Sequence, residues 1–112
     1  MSKRILFCAA ILAAGLAASP APSIAAPITE VVEAGIEGCG QTPDDFGPQF
    51  WHDVDKACTN KTSCKVRLTD SYPLATLQQY ECKSFFVNFI CTGATKEVSG
   101  PDLTSEVTLQ CN

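Results

Sequence analysis

The sequence predicts a small, mainly β domain, a sandwich or barrel of few strands with one short helix. At least four short segments have the alternating or continuously apolar pattern that is typical of strands, and one segment has helical spacing. Six of the seven cysteines follow an N-terminal apolar segment. An even number of cysteines in a small exported chain is typical of a disulfide framework, although spacing alone does not choose the pairing.

Residues 1–25 have the order of a secretory signal peptide. Two basic residues precede an apolar run, 5–17, which is too short to span a bilayer of ~30 Å as a relaxed helix. Small residues then lead to an expected cleavage after Ala25. A retained membrane anchor is the alternative, and the flanking residues favour cleavage. We therefore expect one mature domain, 26–112, that is periplasmic or secreted and has no transmembrane segment.

The charge of the mature chain limits its partners. Cleavage removes Lys3 and Arg4 and no acidic residue, so the net charge changes from −4 to −6. A chain of this sign repels phosphate backbones, and we therefore expect no nucleic-acid partner.

The first predicted strand covers residues 28–36, where two adjacent valines favour a pleated backbone. A period of two places four apolar side chains on one face: Ile28, Val32, Ala34 and Ile36. The next stretch, 37–48, holds three glycines, two prolines and two aspartates, a composition that predicts a loop.

Residues 49–58 change to helical spacing. Their apolar side chains share one face of a helix: Phe50, Val54, Ala57 and Cys58. Pro48 suits the first turn, because the N–H that proline lacks has no partner there. We predict a short helix with Trp51 packed on its covered side, not open as a stacking surface.

The C-terminal half contains three further predicted strands. Residues 64–68 alternate, 69–81 are irregular, and 92–106 form a long connection with a Gly-Pro turn before a last alternating strand at 106–111. The segment 83–91 gives the strongest strand pattern. Its two faces carry Phe85, Val87, Phe89 and Cys91 on one side and Ser84, Phe86, Asn88 and Ile90 on the other. Both faces are largely apolar, so we expect a central strand covered on both sides.

The stretch "CTNKTSC", 58–64, raises the question of chemistry. Structural zinc sites usually take C-x2-4-C pairs, redox pairs usually take C-x-x-C, and neither spacing occurs here. His52 with Asp53 or Asp55 and a serine could resemble a hydrolase site, but no nucleophile-elbow motif frames any serine. We expect no catalytic residue, no metal, no cofactor and no enzymatic activity. A bridge between these cysteines would require the five residues between them to turn back, because an extended chain would span roughly 20 Å.

Two cysteine-framed blocks resemble the galactose/rhamnose-binding lectin domain family (SUEL-type) in its bacterial exported form. These are "VDKACTNKTSCKV" at 54–66 and "CKSFFVNFIC" at 82–91, and "ITEVVEAGIEGCG" at 28–40 is similar to the family's early strand and Gly-rich turn. The resemblance implies a small antiparallel β-sandwich stapled by disulfides, with one short helix. It also implies three bridges: Cys58–Cys64, Cys39–Cys82 and Cys91–Cys111.

The resemblance further implies calcium-independent sugar binding without catalysis. Lys83 matches a sugar-contacting position. Glu37 and Gln78 stand where the family instead carries its Tyr-Gly-Arg and Asp-Pro motifs, so this chain lacks both motifs. The candidate ligand-binding residues lie in two loops: Glu37, Gln78, Gln79, Tyr80, Glu81 and Lys83. The expected partner is a glycan. The alternative is an envelope or secreted protein-binding or inhibitor domain that keeps the lectin scaffold but not sugar binding, since the net charge of −6 suits a basic protein.

Overall fold

The computed structural model describes residues 26–111, so the expected signal segment, 1–25, lies outside the described residues. The elements follow in the order β1 (Ile28–Glu37), α1 (Phe46–Cys58), β2 (Ser63–Arg67), a 3-10 turn (Leu68–Asp70), α2 (Leu74–Gln79), β3 (Ser84–Cys91), β4 (Ala94–Gly100) and β5 (Glu106–Gln110).

The strands form two antiparallel sheets. One has three strands in the order β1-β3-β4, and the other pairs β2 with β5. The main helix, α1, packs against β1 and β2, and one continuous apolar core joins these layers. The predicted class, a small mainly β fold of antiparallel sheets with one main helix and three disulfides, is confirmed.

Strand β3 is central, as its two-sided apolar pattern predicts. Its side chains alternate strictly, with Phe85, Val87, Phe89 and Cys91 buried in the core. The opposite face is only half-buried, so the expected cover on both sides is incomplete. An antiparallel sheet can leave one face toward water, which is the arrangement found here.

Strand β1 corrects the predicted inward face. Ile28 and Ala34 are buried as expected, but Val31 is buried in place of Val32, which is 36% exposed. The pairing with β3 shifts twice, between Ile28 and Glu30 and between Val31 and Glu33. Each bulge adds one residue and reverses which side chains face the core, so two bulges restore the original alternation.

Helix α1 begins at Phe46, earlier than the predicted start at residue 49. Phe46 is buried against the core and extends the apolar face by one turn, while Ala57 is exposed instead of buried. Pro48 lies in the first turn, where its missing N–H costs no helical hydrogen bond. The helix therefore starts where an aromatic side chain can be buried.

Two predicted irregular segments contain regular structure. In 69–81, helix α2 follows Pro73 and buries Leu77, and its six residues are too few for a sequence period to stand out. In 92–106, β4 returns along β3 through a two-residue turn. Thr92 and Gly93 have φ values of 49° and 84°, the left-handed geometry that a tight hairpin turn requires. Strand β4 is largely polar, so it lacks the apolar pattern that would predict a strand.

The three disulfides join the pairs that the resemblance implied. Cys39–Cys82, Cys58–Cys64 and Cys91–Cys111 close loops of 43, 6 and 20 residues. A chain-entropy estimate gives contributions of about 4, 2 and 3 kcal/mol respectively. The Cys91–Cys111 bridge connects the end of β3 to the residue after β5, and it therefore holds the two sheets together.

An aromatic cluster lies under the loop that precedes β3. The rings of Phe46 and Tyr72 stack with centroids 4.4 Å apart, and Tyr80 meets Phe46 edge-on at 5.0 Å. Burial raises the pKa of the Tyr72 hydroxyl, and the negative charge of Asp45 raises it further.

A matched pair of glycine substitutions tests the packing of the central strand. A Cβ at buried Gly100 would collide with the Phe85 ring, whereas nothing lies within 4 Å of a Cβ at Gly47, in α1. We expect Gly100→Ala to lower the free energy of unfolding by about 1–3 kcal/mol. We expect Gly47→Ala to raise it by about 0.5–1 kcal/mol. Urea unfolding of the oxidised mature chain measures both, and equal effects would contradict this packing.

Alkaline pH tests the environment of Tyr72. Because the pKa of Tyr72 is raised in the folded chain, the unfolded chain loses this proton first, near its ordinary value of about 10. The stability from the protonated hydroxyl is thus present below about pH 10 and is lost above it. We expect the urea midpoint to fall less in Tyr72→Phe than in the unmodified chain between about pH 8 and pH 11. An equal fall in both would contradict the assignment.

Candidate functional site

The residues predicted to bind ligand come together at one end of the three-stranded sheet. The Cys39–Cys82 bridge joins the loop after β1 to the segment before β3. The Lys83 N–H donates to the carbonyl of Glu37 at 2.9 Å, and the Gly40 N–H donates to the carbonyl of Tyr80 at 2.7 Å. Two loops that are distant in sequence therefore form one surface, which we call the loop surface: Glu37, Gln78, Gln79, Tyr80, Glu81 and Lys83.

Glycines allow the two loops of the loop surface to approach closely. Gly38 has a φ of 79°, and the stem of Lys83 occupies the space where a Cβ at residue 38 would lie, 2.8 Å from the Lys83 Cβ. Glu81 has a φ of 62°, and its carboxylate lies 3.4 Å from a Cβ at Gly40. The Ser84 hydroxyl donates to the Glu37 carboxylate at 3.4 Å.

The loop surface offers little for a sugar ring to stack on. Tyr80 is half-buried, and its edge-on contact with Phe46 makes its ring part of the packing beneath the surface. Gln78 and Gln79 are exposed at the end of α2. The predicted residues therefore meet, but as a rim of exposed polar side chains, and their role in ligand binding stays a prediction.

A second candidate site, which unlike the loop surface forms a cavity, lies between α1 and the first half of β1. A shallow cavity of about 350 Å³ opens there, and we call it the Trp51 cavity. Six residues line it: Glu30, Val31, Pro48, Trp51, His52 and Asp55. Val31 and Glu37 stand at opposite ends of this part of β1, so the cavity is roughly 20 Å from the loop surface.

Trp51 is fixed at its indole nitrogen but open over much of its surface. The indole N–H donates to the Val31 carbonyl at 3.0 Å, and 41% of the residue remains exposed. The neighbouring Phe50 is fully buried against Phe85, at 5.7 Å between ring centroids. Burial of Phe50 sets the rotation of α1, so the next residue points toward the edge of β1. The prediction that Trp51 is not open is therefore wrong.

The charged side chains that line the Trp51 cavity are acidic. Glu30 lies between the two bulges of β1, and both it and Asp55 are exposed. One carboxylate oxygen of Asp55 accepts a hydrogen bond from the Thr59 hydroxyl at 2.7 Å, which restrains its side chain. His52 adds an imidazole that can donate or accept a hydrogen bond. The cavity thus combines an aromatic surface with hydrogen-bonding groups.

The hydrolase site considered from the sequence, His52 with Asp53 or Asp55 and a serine, is not formed. Asp53 accepts a hydrogen bond from the Ser71 hydroxyl at 2.8 Å beside a separate cavity of about 60 Å³, between α1 and β2. His52 lines the Trp51 cavity instead, where no serine, threonine or cysteine is among the lining residues. The smaller cavity has room for a few waters only. Asp53 and Ser71 therefore tie α1 to the turn after β2.

Within residues 26–111, no group of three or more His, Cys, Asp and Glu side chains is arranged to hold a metal ion. Neither α1 nor α2, the α-helices of the same range, is long and apolar enough to cross a membrane.

Sequence periodicity did not identify the Trp51 cavity, for a physical reason. The cavity requires both the rotation of α1 and the bulges that bring Glu30 and Val31 to its rim. The only available signal was an aromatic residue beside a histidine on a predicted helix.

Comparison of the chain with protein-family models, with curated proteins and with solved structures finds no match in any of the three.

Proposed function

We propose that this chain is an exported, non-catalytic carbohydrate-binding module and that its sugar site is the Trp51 cavity. The observation that carries the proposal is an exposed indole, fixed by its N–H, beside two carboxylates and an imidazole. Sugar rings need a flat apolar surface together with a few polar groups in fixed positions. The loop surface supplies polar groups without an open aromatic face, so the Trp51 cavity is the better candidate.

Three of the six lining residues have a defined part in sugar binding. The C–H face of a pyranose ring packs on the Trp51 indole, and the Glu30 and Asp55 carboxylates accept hydrogen bonds from its hydroxyl groups. The volume of about 350 Å³ is at the lower end of the ~300–1,000 Å³ of small-molecule sites. A cavity of this volume is suited to one or two sugar rings.

The site is largely preformed, which favours binding. The hydrogen bond to Val31 restrains the indole, and the Thr59 hydroxyl restrains Asp55. The Cys58–Cys64 bridge also fixes the end of α1 to β2. Groups that are already ordered lose less conformational entropy when a ligand binds.

A pair of carboxylates can also hydrolyse glycosides, but this pair is poorly placed for it. One of the two must stay protonated near neutral pH, and burial in an apolar pocket is what achieves this. Glu30 and Asp55 are both exposed. Their environment supports binding of hydroxyl groups and gives no support for acid catalysis.

The proposed location is the periplasm or the extracellular space. Three disulfides in a domain of this size are typical of oxidising compartments. The signal-like order of residues 1–25 supplies a route of export.

A second candidate function, binding of a basic protein, is favoured by the outer face of the three-stranded sheet. Cross-strand pairing places Glu33, Asn88 and Glu97 in one row and Gly35, Phe86 and Ser99 in the next. Glu37 pairs with Ser84 at the end of the same face. We define the acidic sheet face by three of its carboxylates and two half-buried apolar side chains: Glu33, Glu37, Glu97, Phe86 and Ile90. A fourth carboxylate, Glu30, pairs with Ile90 and stands where this face meets the Trp51 cavity.

Charge complementarity supports a basic protein as the partner of the acidic sheet face. Lys96 pairs with Phe89 and so lies on the opposite side of the sheet, and no Lys or Arg occupies an outward position on β1, β3 or β4. The ion pairs found among residues 26–111 involve Arg67 and leave these three glutamates unpaired. A protein with lysine or arginine around an apolar side chain would complement this face.

Glycan binding by matched variants tests the first proposal. The oxidised mature chain is screened on a glycan array beside Trp51→Ala, Lys83→Ala and, as a control exposed apolar residue, Leu74→Ala. We expect Trp51→Ala to weaken binding about tenfold or more, because the stacking surface is lost, while the other two variants bind normally. Loss in Lys83→Ala alone would assign the sugar to the loop surface. No glycan binding by folded protein would reject the function.

Salt-dependent binding of a defined basic protein, cytochrome c, tests the second candidate. One variant removes the charges of the acidic sheet face: Glu33→Gln, Glu37→Gln and Glu97→Gln. Its control removes three charges elsewhere: Asp44→Asn, Asp45→Asn and Glu106→Gln. We expect the first variant to bind about tenfold more weakly and the control to bind nearly normally, with affinity falling as salt rises. Equal weakening would mean that only net charge matters and would reject this face.

A further inference from the structure

We infer that the Trp51 cavity selects glycans that carry a free, protonated amino group. The ligand class is an amino sugar such as a glucosamine unit, in preference to its N-acetylated form or to a uronic acid. This inference rests on the proposed function and specifies the substrate class of the same site.

The charge of the lining gives the first argument. Glu30 and Asp55 are the two acidic residues among the six lining residues, Lys and Arg are absent, and His52 is the only lining residue that can carry a positive charge, so the carboxylates outnumber it. Lys56 follows Asp55 along α1 but does not line the cavity, and its side chain is exposed. A ligand group in the cavity therefore experiences a negative potential, which the net charge of −6 expected for the mature chain reinforces.

The hydrogen-bonding capacity of the two carboxylates gives the second argument. Within residues 26–111, Glu30 makes no side-chain hydrogen bond or ion pair, and Asp55 uses one oxygen to accept from Thr59. Several acceptor positions thus remain open at the cavity rim. An ammonium group offers three donors and a positive charge, so it satisfies these acceptors better than a neutral hydroxyl.

The indole adds a third and independent attraction. The face of a tryptophan ring attracts a cation more strongly than the face of any other aromatic side chain. Trp51 presents an exposed surface in the same cavity as both carboxylates. An amino sugar carries both features that this combination recognises, a flat C–H face for the indole and a cation for the carboxylates. An N-acetyl group removes the cation, and a uronic acid reverses the charge.

Three matched oligosaccharides test the inference by calorimetry with the oxidised mature chain. They are β-linked glucosamine oligomers, the same oligomers fully N-acetylated, and glucuronic acid oligomers of equal length. Measurement at about pH 6 keeps the amines protonated. The double variant Glu30→Gln/Asp55→Asn removes the lining charges, and Asp44→Asn/Glu106→Gln removes the same number of exposed charges outside the cavity.

We expect the free-amine oligomer to bind at least about tenfold more tightly than the N-acetylated one. This preference should disappear in Glu30→Gln/Asp55→Asn and persist in Asp44→Asn/Glu106→Gln. Trp51-dependent binding of all three oligomers with equal affinity would overturn the inference but leave the proposed function intact. A preference that survives removal of the lining charges would also overturn it. Binding of no glycan at all would reject the inference and the proposed function together.

Discussion

Burial of one face of β3 is the constraint on which the rest of the structure depends. Phe85, Val87 and Phe89 have almost no exposed surface, and every other layer is positioned against them. Phe50 from α1 meets Phe85 edge-on, and the outer strands pair on either side. A domain this small has a modest core. The disulfides therefore add stability where apolar burial is limited, and one of them extends β3 into the second sheet through Cys91.

The same constraint determines where the Trp51 cavity lies. Because α1 must direct Phe50 inward, Trp51 is turned to the edge of β1, where the Val31 carbonyl accepts its indole N–H. Two bulges in β1 then place Glu30 beside that ring. An edge strand has carbonyl groups without a strand partner, and a bulge changes the direction of its side chains. The candidate sugar site thus follows from local irregularities in an otherwise regular sheet.

The resemblance to galactose/rhamnose-binding lectins and the geometry of the chain indicate different surfaces as the candidate ligand site. The resemblance points to Lys83 and its neighbours, which the Cys39–Cys82 bridge does bring together. Their aromatic member, Tyr80, is engaged in packing, whereas Trp51 is open. The proposed sugar site and the acidic sheet face are neighbours, because Glu30, which lines the Trp51 cavity, pairs across the strands with Ile90 of that face.

The sequence by itself determined the fold class, the central strand and the main helix, because these depend on apolar periodicity and on the number of cysteines. The alternation around Phe85 and Val87 needs no tertiary information to be read as a buried strand. Helix α2 and strand β4 were missed because one is short and the other polar, and β4 forms by pairing with β3 across a two-residue turn. The choice of Val31 over Val32 was decided by bulges, which arise only when β1 pairs with β3. The Trp51 cavity likewise depends on the tertiary structure, since it exists only where a helix and a strand edge meet.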